Sequence, residues 1–383
     1  MTNKIQAIKF LCGPDQDHVS AQALAENQGL AEPILLQRRG YQVAWVVPQT
    51  TAVNQEIESQ RLAWSQQQGL VLPAFFHDEL NYYSESIDAS LLMAFAIMDG
   101  EDPQSVFTTE VMLSRLGDDF EMLACSEEAV DEQQIVSIDF DAYAQGELIA
   151  DDLWLRISWL SLFEEDSSLR FRFSFGLEFY EDVSLDVDKQ RLAAQLCERI
   201  FPESALITQN TLLNEALRQL LQQDQLEFVE RIVYLNSPKG GAQFHHDVER
   251  GHQGVVFAQL HGRTVWLVVP KLALVEQIQT YLAQQKAKSK SDSVLTSKEF
   301  ESLLALDTES LGAELDSFSN NALEKLLNRS LGFNQMLLAN GYGYLIAPGD
   351  IMLLPQAGEA NCAWHSVFCA DDYPGLALSF AIR

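Results

Sequence analysis

The run Gly240-Gly241-Ala242-Gln243-Phe244-His245-His246-Asp247 places a histidine and an aspartate two residues apart, His245 and Asp247. On a β-strand that spacing sends both side chains from the same face. A further imidazole from His365, far downstream in Trp364-His365, would complete a set of two histidines and one carboxylate. Such a set holds Fe(II) and leaves coordination positions open for oxygen and a cosubstrate. The chemistry indicated is metal-dependent oxygenation. The same donors can hold Zn(II), which keeps a cupin-type hydrolase or isomerase as another reading.

A site assembled from residues 120 positions apart needs strands to bring its parts together. From 228 to the end, turn residues separate short apolar runs, as an all-β barrel requires. Gly240-Gly241 supplies a turn before the first ligand strand, and Pro348-Gly349 a turn into the strand that starts near Asp350. The stretch 271–340 interrupts these strands with helical periodicity. Within it Thr296 and Glu299 have the spacing of a capping box. It reads as a helical insertion of the kind that often covers a site mouth. Its basic tip, around 286–293, reads as a solvated loop.

Upstream, 5–78 reads as β-α-β-β-α-β, an order that resembles a ferredoxin-like unit, with one helix expected over 19–27. Residues 86–135 look helical and acidic, with 89–98 as a buried helix. A hairpin follows over 153–179, in which Phe171, Phe173 and Phe175 share one face and Arg170, Arg172 and Ser174 the other. Amphipathic helices are expected over 187–201 and 211–222. The fold class is therefore α+β: an N-terminal α/β domain over 1–135, of unknown role, and a barrel-containing domain over 136–383.

The formal charge of -30 on 383 residues repels phosphate and anionic lipid, so nucleic-acid and membrane partners are not expected. A basic protein or peptide would be attracted. No apolar run approaches the roughly 20 residues that span a bilayer, and the start of the chain has no long apolar segment of a secretory signal. Five scattered cysteines without Cys-x-x-Cys pairs suit reduced thiols, hence a cytoplasmic protein.

The motifs in 228–383 resemble the JmjC/cupin-like branch of the Fe(II)- and 2-oxoglutarate-dependent oxygenases. That branch carries a H-x-D strand, here His245 to Asp247, and a Q-x-x-G-x-[KR]-x-W strand, here Gln259, Gly262 and Trp266. A P-G-D turn (Pro348 to Asp350), a distal histidine (His365) and a closing strand around Ser379 follow in the same order. The resemblance implies a double-stranded β-helix with its core over 228–383 and His245, Asp247 and His365 as metal ligands. His246 would face away, since taking it as the ligand leaves Asp247 on the wrong face.

The resemblance further implies Fe(II) and 2-oxoglutarate as cofactors and hydroxylation of a protein or peptide side chain. The cosubstrate positions map to Thr264, where the family has Lys or Arg, and Ser379, where it has Asn; Ala242 stands where the family has Thr or Ser. Arg383, on the same strand face as Ser379, is offered as a replacement cation. The other readings are a small-molecule oxygenase, and a metal-binding barrel that no longer uses 2-oxoglutarate and acts as a binding protein. His252 and His261 are expected to be structural or surface residues, with His252 a lesser candidate for lining the site mouth.

Overall fold

The computed structural model describes 57–383 except 131–132, 161–167, 177–185, 239, 250, 289–293, 318 and 372, with the backbone alone of 11–12, 34–38, 41–46, 128–130 and 133–134. The helix expected over 19–27 and the basic tip at 289–293 lie outside these residues.

Strands β1 (Leu11–Cys12), β2 (Ile34–Arg38), β3 (Tyr41–Val46) and β4 (Leu70–Leu72) come first. Next are β5 (Phe120–Val130), β6 (Gln133–Ala144), β7 (Glu147–Leu160) and β8 (Ser168–Phe175). The C-terminal set opens with β9 (Phe228–Asn236), β10 (Gly241–His245), β11 (Gly254–His261) and β12 (Thr264–Pro270). It closes with β13 (Gly343–Ile346), β14 (Ile351–Gly358), β15 (Asn361–Cys369) and β16 (Gly375–Ile382).

Successive strands of the C-terminal set go to opposite sheets, except β12 and β13, which pair with each other across the insertion. One sheet runs β9-β16-β11-β14 and the other β10-β15-β12-β13, all antiparallel. This is the pairing of an eight-stranded jelly roll. The first sheet continues through β8, β7 and β6 to β5 at one edge, and through β4 to β1 at the other. Thus β4 pairs with both β1 and β14, while β2 and β3 form a separate ribbon.

Most strands of the roll are buried on both faces, which is why their sequences read as continuous apolar runs rather than strict alternation, whereas β10 is largely half-buried. In β12, Trp266 and Val268 face between the sheets, whereas Val265, Leu267 and Val269 face outward. That outward face is covered by helices of the insertion, including Lys271–Ala287, Asn321–Arg329 and Leu331–Ala339. The insertion therefore backs the second sheet, contrary to the expectation that it covers the site mouth. The outer face of the first sheet packs on Ser84–Met98, Val187–Ile200 and Thr211–Leu221, with Phe171, Phe173 and Phe175 in that core.

The helical reading of 86–135 fails after Leu116. Gly117, at φ +64, ends the helix Glu110–Leu116, and 120–130 is an edge strand. Its alternation is hidden because a bulge between Met122 and Ala124 breaks the period, and most of its described side chains are exposed.

The capping box forms as the spacing predicts, with Thr296 Oγ1 accepting from the Glu299 amide and the Glu299 carboxylate accepting from the Thr296 amide. Lys325 holds the same carboxylate at 2.7 Å. Thr296→Ala should cost about 1 kcal/mol, read as a lower midpoint in chemical denaturation with an unchanged slope.

Candidate metal centre

β10 and β15 pair so that His245 stands directly opposite His365, with ring centroids 4.3 Å apart. Asp247 lies just beyond the end of β10, so strand alternation alone does not aim it. The amide of Val248 donates to His246 Nδ1 at 3.2 Å, turning the chain there, and Asp247 meets both imidazoles. One carboxylate oxygen is 3.3 Å from His245 Nε2 and the other 3.3 Å from His365 Nε2.

Each ligand histidine is oriented from behind. His245 Nδ1 lies 2.6 Å from the Gln243 carbonyl, and His365 Nδ1 3.3 Å from the Ala363 carbonyl. A carbonyl can only accept, so Nδ1 of each ring carries a proton, and Nε2, the nitrogen that faces Asp247, is the one that can serve a metal once it gives up any proton it shares with the carboxylate. Trp266 stacks on His365 at 5.4 Å. The insertion also contributes, since buried Asn328 accepts from the Phe244 amide at 2.7 Å and so steadies β10 one residue before the ligand.

Electrostatics fit a cation site. Burial favours the neutral form of Asp247, but the two histidines outweigh it and hold the carboxyl well below its usual range. Burial pulls His245 down, yet its hydrogen bond to and charge attraction for Asp247 leave it raised. His365 is lowered, by burial first and by His245 second.

The three ligand atoms lie within 4.8 Å of one another. Donors about 2.1 Å from one ion sit roughly 3.0–3.4 Å apart, so these residues need only small movements to share a metal. The set contains no thiolate, and its members differ in exposure. The His365 side chain is 3% exposed, against 34% for His245 and 35% for Asp247, which leaves one side open to the cavity.

That cavity, about 380 Å³, lies between the two sheets. Val255, Phe257, Leu354 and Val367 give it apolar walls, and Tyr234, Ser379 and Arg170 add polar groups. Burial pushes the Tyr234 phenol well up, so it stays protonated and able to donate.

Among the residues expected at the site, His245, Asp247, His365 and Ser379 come together around this cavity. Thr264 and Arg383 do not. Thr264 is fully buried, donating to Gln259 Oε1 at 2.8 Å and accepting from Trp266 Nε1 at 3.0 Å. It thereby braces the Trp266 ring. Arg383 is tied to Glu227 by side-chain contacts of 2.6 and 2.7 Å and by backbone bonds in both directions. A bulge between Ala381 and Ile382 and the end of β16 take it away from the cavity, which corrects the expectation that it replaces the missing cation.

His246 packs edge-on against Trp364, away from the site, as expected. His261 is held by the Pro374 carbonyl, and His252 is buried beside Glu230 and Glu249. Those two carboxylates are already served by Arg172, at 2.6 and 4.0 Å, so that cluster is an ion-pair network.

Sequence reasoning missed Arg170 and Tyr234. Arg170 faces away from the Phe171 stripe on a strand that lies outside the region of family resemblance. The available signal was two arginines alternating with phenylalanines, a pattern with a polar face that need not meet water.

No family model matches the chain, and no curated protein matches it. Among solved structures, it is similar to an oxidoreductase of the 2OG-Fe(II) oxygenase family from Burkholderia pseudomallei, at 9% identity and a TM-score of 0.29. That similarity covers 86% of this chain and 91% of the other. A likeness at that level assigns neither family nor function, and the geometry of the site has to speak for itself.

Proposed function

We propose that this chain is a JmjC/cupin-like, Fe(II)- and 2-oxoglutarate-dependent oxygenase that hydroxylates a protein or peptide side chain. The observation that carries the reading is the pair of histidines anchored from behind, with Nε2 atoms converging on opposite oxygens of Asp247 at the wall of a cavity. Fe(II) held by these three residues would supply oxygen activation.

The chain's own groups set the conditions for that chemistry. The Gln243 and Ala363 carbonyls fix the tautomers of His245 and His365, and Trp266 stops the His365 ring from turning. Phe257, Val255, Leu354 and Val367 keep water from the reacting side. The Tyr234 and Ser379 hydroxyls offer hydrogen bonds to a polar ligand end. The net charge of -30 favours a basic protein substrate, because long-range attraction raises its local concentration.

Anaerobic protein loaded with Fe(II) should develop a metal-to-ligand charge-transfer band when 2-oxoglutarate is added. Absence of a band, with Fe(II) demonstrably bound, would sink the 2-oxoglutarate reading and leave only a metal-binding barrel.

A further inference from the structure

Arg170 is the one arginine or lysine among the described residues that line the metal cavity. Basic side chains are scarce here, 25 Lys and Arg against 55 Asp and Glu, and three arginines around the roll find carboxylates, while the buried Arg231 is held by Gln190 and the Phe228 carbonyl. Arg172 pairs with Glu230, Arg263 with Asp371 and Arg383 with Glu227. Arg170 pairs with no carboxylate among the described residues. Among the described residues its one hydrogen bond is a long contact of 3.4 Å to Ser158 Oγ, and its Nε is buried without a partner. A guanidinium has five donors, and leaving them unmet in an apolar setting is costly.

Register aims this cation at the metal wall. Arg170 pairs with Tyr234, and Tyr234 with Ala377. Ser379, two residues further on, therefore shares their face of the sheet. The Tyr234 phenol feels both the Arg170 cation and the Asp247 carboxylate, so it is within range of both ends of the cavity. The carboxylate-binding cation that Thr264 does not provide is thus available from the opposite sheet, on a strand that precedes the jelly roll.

We infer that Arg170 is the cavity's carboxylate anchor, gripping the distal carboxylate of a five-carbon 2-oxo dicarboxylate whose oxo-acid end lies at His245, Asp247 and His365. The planar fork of arginine suits a carboxylate, and the Ser379 and Tyr234 hydroxyls stand beside it to complete the hydrogen bonding. The inference rests on the oxygenase reading and assigns the anchor that reading requires.

The test compares 2-oxoglutarate with 2-oxobutyrate, which keeps the oxo acid and lacks the distal carboxylate. Both are titrated calorimetrically into Mn(II)-loaded full-length protein and, anaerobically, into the Fe(II) form to follow the charge-transfer band. Wild type should prefer 2-oxoglutarate on the order of 100-fold, the scale expected for a buried charge pair. Arg170→Gln should remove that preference and leave the 2-oxobutyrate and Mn(II) affinities within about twofold, since neither contacts the guanidinium. Arg170→Lys should restore part of it, and Arg383→Ala should change neither ligand.

If Arg170→Gln keeps the preference, or lowers both ligands alike, the anchor assignment is wrong. A wild type with a band for each oxo acid but no preference also overturns it, while the oxygenase reading stands. No band with either oxo acid removes the oxygenase reading, and the anchor falls with it. Should Arg170→Gln misfold, Arg170→Lys with Tyr234→Phe gives the same comparison, and an undiminished preference in both overturns the assignment.

Discussion

Asp247→Ala should abolish tight metal binding, with Mn(II) or Fe(II) affinity falling by at least about 100-fold, beyond the usual cost of losing an outer partner of a ligand. The expectation follows from the carboxylate's double role. It is the sole carboxylate among the described residues lining the cavity, and its two oxygens face the two imidazoles at 3.3 Å each. Two neutral imidazoles without it would have to hold a divalent cation against full hydration. Asp247→Asn keeps the shape and removes the charge, so a similar loss there would assign the effect to charge. Calorimetry or the paramagnetic resonance of free Mn(II) reads both variants directly.

Gly241→Ala should weaken metal binding without touching a ligand. A Cβ at this position would lie 2.0 Å from the Val367 carbonyl oxygen and 2.7 Å from Phe368 Cα. Both are backbone atoms of β15, so relief requires β10 to move off its partner strand. That movement separates His245 from His365, which the register holds opposite each other. A fall in metal affinity of roughly tenfold or more is expected, together with the destabilisation of about 1–3 kcal/mol typical of overpacking. Gly312, inside the helix Thr308–Ser317, has nothing within 4 Å of its Cβ position and serves as the control. Gly312→Ala should be stabilising by about 0.5–1 kcal/mol and leave metal binding unchanged. Unaltered affinity in Gly241→Ala would mean that the β10–β15 pairing does not set the ligand geometry.

The roll was legible where two local signals coincided. From β11 to β16, apolar runs bounded by Gly262, Pro348-Gly349 and Gly375 mark strands, and the chain folds accordingly. His365 was legible because it sits on such a strand, and His245 because Gly240-Gly241 marks the turn that opens its own short strand. Asp247 is brought in for a reason alternation does not supply, since β10 ends two residues earlier.

What alternation could not show is which polar face is enclosed. Arg170 and Arg172 alternate with phenylalanines on β8, and that pattern is the same whether the arginines meet solvent or a second sheet. Only the pairing of β8 with β9 reveals the difference. Thr264 and Arg383 illustrate the converse. Their sequence positions matched ligand-binding places, but Gln259 and Trp266 capture one and Glu227 the other. Hydrogen-bond partners distant in the chain decide such outcomes, and spacing carries no record of them. The edge strand β5 was hidden by a bulge and by exposure, which together remove the period that identifies a strand.

The account stands on three residues sharing one metal ion. Crystals of the protein loaded anaerobically with Fe(II) and measured on both sides of the iron absorption edge give the most direct reading. A single anomalous peak ligated by His245, Asp247 and His365, and lost in His365→Ala, is the predicted result. No peak at that position, or iron held instead by Glu230, Glu249 and His252, would contradict it.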